Sequence, residues 1–334
     1  MQTDPSPSES LCHWKHRSCA IKPRDQAIRS EVALKTTPVI AIVVNWKLAH
    51  DTIRSVRSLA RQHPTPQIMV VDNGSGDGSA TRIAAACHQV KIIALPRNVG
   101  FGAACNVAMR RVLDVPGWRQ VLLLNNDAVV APGALAELLR AAEAHPEAGI
   151  LAPKILDSNR PPRIWYAGAR RRPRWLSAID TRRGHPNARQ TDRAGEVDYV
   201  FGAAMLLRRE LIDRIGLFDE RFFLYLEDMD YCLRAQAAGF ALRYVPQARV
   251  WHRGSASTSH RDAMRRYYQA QSMVRFLRKH LSPAMRLLAL PIWAVDVLRM
   301  NWHRLLRPEA SLGRARTYWC GLIDGLTDRD VHRV

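Results

Sequence analysis

The chain has 334 residues, 47% of them apolar, enough to bury one large core with appendages or two smaller ones. Its six cysteines form no C-x-x-C pair and fit no zinc or disulfide framework, and no apolar leader opens the sequence, so reduced thiols and a cytoplasmic location are expected. The net charge of +20 is concentrated in two places: residues 160–193 carry ten Arg against two Asp, and residues 253–334 carry fifteen Lys/Arg against six Asp/Glu. Such patches attract polyanions, here a membrane surface or a phospholipid-linked substrate ahead of specific nucleic acid.

Residues 1–37 are polar, contain several Ser and Pro, lack periodicity and read as a mobile tail. Strand and helix signals then alternate. Val39–Val44 is a buried-strand run, Asp51–Arg61 has helical spacing, and Gln67–Val71 is a second strand ending in the turn-rich Asp72–Ser79. Ser79–Cys87 reads as a helix and Val90–Ala94 as a third strand. Asn98-Val99-Gly100-Phe101-Gly102 then opens a helix to Leu113, Gln120–Leu124 is a fourth strand, and Pro132–His145 is a helix. This repetition predicts a parallel sheet with right-handed crossovers, with ligand outside the carboxyl ends of its strands. The loops at 45–47, 72–79, 97–102 and 125–127 all fall there.

The Arg-rich stretch, with Pro161-Pro162 and Pro173, is a poor candidate for regular structure and reads as an insert. Order resumes at Val197–Leu207 and continues to a helix over Glu227–Ala238, closed by Gly239. Phe240–Val245 and Ala248–His252 read as two short strands. From His260 the chain looks helical and basic, and Arg and Trp around a short apolar stripe suit a helix lying in an anionic interface. The apolar run Leu287–Val295 is well short of the ~20 residues that span a bilayer.

Two acidic clusters follow apolar runs: Asn125-Asn126-Asp127 after Val121–Leu124, and Glu227-Asp228-Met229-Asp230 after Phe222–Leu226. A carboxylate at the end of a buried strand is costly unless it binds a cation or does chemistry. Asp72, beside a Gly-rich turn, can accept from the imide N–H of uracil or thymine. Arg234, four residues after Asp230 on the same helix, can pair with it.

In order along the chain, Val43-Val44-Asn45-Trp46, Val70–Ser75, Asn98–Gly102, Leu124–Asp127, Phe201–Leu206, Gly216–Glu220, Glu227–Asp230 and Trp251-His252 resemble the signature of family 2 glycosyltransferases of the rhamnosyltransferase-like branch. The resemblance covers roughly 38–255, leaving 256–334 as a basic helical C-terminal region. It implies a GT-A fold, an α/β mixed sheet flanked by helices. It also implies an inverting transfer from a nucleotide-diphospho-sugar, with dTDP-rhamnose expected and a UDP-hexose or UDP-galactofuranose as the alternative. The acceptor implied is a surface glycan or its polyprenyl-linked precursor, met at the inner face of the cytoplasmic membrane through the basic helices. The resemblance carries Asn45, Asp72, Asn73, Arg97, Asn98 and Asn126 to the donor nucleotide. It carries Asp127 and His252 to a divalent metal, Mn²⁺ or Mg²⁺, and Asp228 to the general base. Glu227, Asp230 and Trp251 are carried to the acceptor side. Asn125 stands where the family's metal motif has its first Asp. Two rivals remain: a sugar nucleotidyltransferase, which lacks its Gly-rich loop here, and a non-catalytic membrane- or polyanion-binding module on the same fold.

Overall fold

The computed structural model describes residues 39–158, 161–171, 178–179, 183–187, 192–254, 262–286 and 311–328. The expected tail and the apolar run 287–295 lie outside the described residues.

The first half alternates as expected: β1 (Val39–Asn45), α1 (Ala49–Ala60), β2 (Gln67–Asp72), α2 (Ser79–Ala86), β3 (Lys91–Ala94), α3 (Phe101–Leu113), β4 (Gln120–Asn125), β5 (Ala128–Val130) and α4 (Ala134–Ala144). The chain continues through β6 (Ala148–Asp157), β7 (Ile164–Tyr166), β8 (Arg170–Arg171), β9 (Ala178–Ile179), β10 (Gly195–Glu196), β11 (Ala204–Arg208), α5 (Arg209–Ile215), α6 (Glu227–Ala237), β12 (Ala241–His252), α7 (Asp262–His280) and α8 (Ser311–Thr327). Strand β1 is buried along its whole length, because helices cover both faces of the sheet and its residues need no polar alternation.

The main sheet runs β10-β12-β6-β11-β4-β1-β2-β3, with β5 on β12 and β7 on β6. Strands β1 to β4 are parallel, as predicted. The chain steps from β1 to β2 and β3 on one side, then returns to place β4 on the other. The strand order reverses between β1 and β4, and the ligand crevice expected at such a switch point lies at their carboxyl ends. There Asn45 lies level with Asp72 across β2, and Val44 level with Asn125 across β4. Each of these strands runs one residue past its predicted end, so the polar site residue closes the strand.

The second half departs from the parallel rule. Strand β11 enters antiparallel between β4 and β6. Among the described residues no helix lies between β6 and β11, and a parallel return usually runs through one. The two short strands expected at 240–252 are one strand, β12, with a register shift against β6 between Val245 and Arg249. Pro246 lies in that shift, where a missing N–H is tolerated. Part of the Arg-rich stretch is regular, in β7, β8 and β9.

The expected C-terminal helices are present as α7 and α8, packed together. Asp230 joins α7 to the sheet domain: Oδ2 accepts from Arg234 Nε at 2.9 Å, and Oδ1 meets His280 Nε2 and Lys279 Nζ, each at 2.7 Å. Burial raises the Asp230 pKa, but the hydrogen bonds from His280 and Lys279 and the Lys279 and Arg234 charges more than offset it, and the carboxyl stays below its ordinary value. Among the described residues no helix is long and apolar enough to cross a membrane, and Cys87, Cys105, Cys232 and Cys320 are unpaired.

Candidate active site

Asp72 is 5% exposed. Its Oδ1 accepts from Asn45 Nδ2 at 2.6 Å and from Ser75 Oγ at 2.5 Å, while Oδ2 receives only a long 3.4 Å contact from the Ser75 N–H. Asn45 is itself saturated, since Nδ2 also reaches Ser75 Oγ at 3.1 Å and Oδ1 accepts from Thr52 Oγ1 at 2.7 Å. The geometry therefore gives Asn45 the task of aiming Asp72, whose Oδ2 faces the fewest internal partners. Asn73 closes a second clasp: its Nδ2 donates to Asn98 Oδ1 at 2.9 Å and its Oδ1 accepts from Val99 N–H at 2.9 Å. The side chains of Asn73 and Asn98 thus tie the turn after β2 to the loop after β3. Arg97 is exposed on that loop.

Across the crevice, Asp127 Oδ1 lies 3.0 Å from His252 Nε2, with both side chains almost fully buried. Asn125 Nδ2 lies 3.3 Å from the same nitrogen. The antiparallel pairing of β5 with β12 sets His252 beside Ala128, and the Arg253 N–H donates to the Asp127 carbonyl at 3.1 Å. Arg253 Nη1 also reaches both oxygens of Asp51 on α1, each at 2.9 Å. Carboxylate, imidazole and side-chain amide are donors that suit a divalent cation such as Mn²⁺. His252 Nδ1 is buried without a partner among the described residues, so the ring is oriented by packing. Trp165 and Phe201 meet it edge-on at 5.1 and 6.2 Å. Among the described residues no group of three or more His, Cys, Asp or Glu is arranged to hold a metal ion by itself. Asp127 and His252 thus offer two ligands, fewer than a closed protein cage would need.

Asp228 opens α6 and is 8% exposed. Its Oδ2 accepts from Tyr199 Oη at 2.6 Å and from the Gly202 N–H at 2.8 Å, and its Oδ1 accepts from the Met229 N–H at 2.8 Å. Gly202 packs tightly on this carboxyl: a Cβ there would lie 3.1 Å from Asp228 Oδ2, which would have to give by a few tenths of an ångström. Gly100 makes the second close approach: at φ +91°, a Cβ would meet the Phe223 carbonyl at 2.4 Å, just ahead of α6. Burial pushes the Asp228 pKa up and its three donors pull it back. Glu227 has less relief, a single backbone hydrogen bond. Its Oε2 is buried with no partner among the described residues, and burial plus the neighbouring Asp228 charge push it up to about 8. With three donors on its oxygens, Asp228 is better stabilised as a carboxylate than Glu227, whose Oε2 has no partner among the described residues.

Asn125, Asn126 and Asp127 lie at and just after the end of β4, His252 ends β12, Asp72 ends β2, and Glu227 and Asp228 begin α6. Asn126 is 8% exposed, with its Nδ2 unpartnered among the described residues. Asp230 is consumed by the anchorage of α7, and Trp251 packs on the core. Sequence reasoning missed Thr52, Ser75 and Tyr199. Ser75 sat inside a quoted motif, whereas nothing local distinguishes Tyr199 from a core aromatic.

A family model described as "Glycosyltransferase like family 2" matches residues 37–270. An N-acetylglucosaminyl-diphospho-decaprenol L-rhamnosyltransferase of Mycobacterium tuberculosis is 29% identical over 315 residues, covering 86% of this chain and 98% of that protein. The Escherichia coli rhamnosyltransferase WbbL is 43% identical over 56 residues, 17% of this chain and 21% of that protein. Among solved structures, the Pyrobaculum calidifontis mannosyltransferase PcManGT, in complex with GDP-Man and Mn²⁺, superposes with a TM-score of 0.54 at 16% identity, covering 88% of each chain. With the GT-A sheet and a match over most of its length, the chain belongs to glycosyltransferase family 2 and is a glycosyltransferase.

Proposed function

We propose that the protein transfers a rhamnosyl group, with inversion, from dTDP-rhamnose to a sugar carried on a diphospho-polyprenyl lipid. The observation that carries this reading is the Asp228 carboxylate, buried at the start of α6 and fixed by Tyr199 and Gly202. Its Oδ1, with one backbone donor, is the oxygen left for an acceptor hydroxyl. As that hydroxyl oxygen bonds to the anomeric carbon, its proton passes to Asp228, and the bond from the anomeric carbon to the diphosphate oxygen breaks on the opposite face. Asp72 receives the imide N–H of the donor base. Asp127 and His252 would hold a divalent cation, with Asn125 beside them. When bound, that cation supplies positive charge against the leaving diphosphate.

The sugar and the acceptor class rest on the mycobacterial relative, which this chain matches over nearly that protein's whole length. A lipid-linked acceptor also suits α8, which exposes Trp319, Ile323 and Leu326 along one stripe. We read this stripe as a membrane-surface contact. Co-sedimentation with anionic vesicles tests it, and a Trp319→Ser/Ile323→Ser variant that still co-sediments refutes it. The transfer reading is tested by incubating the purified enzyme and Mn²⁺ with N-acetylglucosaminyl-diphospho-farnesol and each of dTDP-rhamnose, UDP-glucose and UDP-galactofuranose. A mass gain of one deoxyhexose with dTDP-rhamnose alone is expected. Transfer only from a UDP-sugar overturns the donor assignment.

A further inference from the structure

We propose that Arg183, presented by the Arg-rich insert, binds a diphosphate at the edge of the catalytic crevice. The residues around it are held in place. Gly184 N–H donates to the Ile164 carbonyl at 2.8 Å, Ile164 N–H donates to the His185 carbonyl at 2.9 Å, and Arg163 Nη1 reaches the Gly184 carbonyl at 2.8 Å. Beneath them the fully buried Lys154 of β6 donates to Asn187 Oδ1 at 2.7 Å and to Asp192 Oδ1 at 2.5 Å. A buried ammonium is expensive unless satisfied, so these contacts fasten the insert to the sheet on both sides of residues 188–191.

So delivered, the Arg183 guanidinium stacks over the Trp165 indole, 4.2 Å from its centroid. The same indole meets His252 edge-on. A stacked guanidinium keeps its N–H edge for bidentate pairing with phosphate oxygens. Arg183 is exposed, and it makes no ion pair with any described residue. Trp165 Nε1–H adds a second donor, buried and unpartnered among the described residues. Both are what a diphosphate would satisfy.

Two diphosphates come within range. One belongs to the donor, beside Asp127 and His252. The other belongs to the acceptor, if the proposed function holds. Trp165, Phe201 and Tyr199 form a row, with ring centroids 6.3 and 6.5 Å apart, and Tyr199 Oη touches Asp228. An acceptor sugar lying along that row, with its hydroxyl at Asp228, turns its anomeric diphosphate toward Arg183.

The test compares wild type with Arg183→Ala in two arms. Calorimetry measures dTDP binding with Mn²⁺. Kinetics measure KM for N-acetylglucosaminyl-diphospho-farnesol and for octyl N-acetylglucosaminide, which lacks the phosphates. Loss of a charge-assisted pair should cost about tenfold or more. A rise of that size for the diphosphate acceptor alone assigns Arg183 to the acceptor, and an equal weakening of dTDP assigns it to the donor. No change in dTDP affinity together with equal effects on both acceptors overturns the site. Should wild type use neither acceptor, the functional reading fails separately. Titration of both proteins with inorganic pyrophosphate then decides the site: weaker binding by the variant supports it, and equal binding refutes it.

Discussion

Replacing Tyr199 with Phe removes one hydroxyl and almost no volume, which makes it a sharp probe of Asp228. The Tyr199 hydroxyl donates to Asp228 Oδ2 at 2.6 Å, a short charge-assisted bond. The other groups facing this carboxyl are the Gly202 and Met229 N–H donors, the adjacent Glu227, and Cys232 one turn along α6. A hydrogen bond to a charged group contributes about 1.5–3 kcal/mol, and about 1.4 kcal/mol corresponds to one pKa unit. Tyr199 stabilises the ionised form of Asp228, so its loss raises the pKa of the base. The acid limb of the kcat/KM profile should therefore move up by about one to two pH units. Rates well above the limb should stay within a few-fold of wild type. The profile is measured from pH 5 to 9 at subsaturating acceptor, with a melting curve at each pH. An acid limb that does not move, in a variant that melts like wild type, would refute the claim that Tyr199 tunes Asp228.

Asp228→Asn should keep dTDP binding while transfer falls about 10²–10⁴-fold, the usual contribution of a general base; turnover within tenfold of wild type would remove Asp228 from that role. Asp127→Ala, alone or with His252→Ala, should abolish the Mn²⁺-dependent part of nucleotide binding, and a metal titration identical to wild type would count against the pair. Glu227 sets a pH dependence of stability. Its folded pKa is about 8 against an ordinary 4.5, so the folded state keeps a proton that the unfolded chain releases across that window. Stability is then lost as pH rises from about 4.5 to about 8. Glu227→Gln should flatten the melting temperature over that range, and an unchanged slope would contradict the buried, protonated acid.

Much of the first half was legible in the sequence. The strands of β1, β2 and β4 are continuous apolar runs, and Asn45 and Asp72, which end β1 and β2, are polar yet buried, where an unsatisfied polar group would be costly. The Asp230–Arg234 pair followed from helical spacing alone. The antiparallel entry of β11 was not legible, because strand direction depends on which edge is free when the chain returns. The short β5 and β7, three residues each, carried too few residues for a period to show.

The family, the strand and helix alternation of the first half and the candidate carboxylates could be read before folding, because they follow from local apolar periodicity and from motifs read in register. Only the tertiary structure decided what each polar residue does. It turned Asn45 and Asn73 inward as braces, committed Asp230 to holding α7, gave Asp228 its Tyr199 partner and set Arg183 on Trp165 beside His252. These contacts join residues far apart in the chain. A side chain's role is set by the donors, acceptors and solvent left to it after folding, and no local pattern records that remainder.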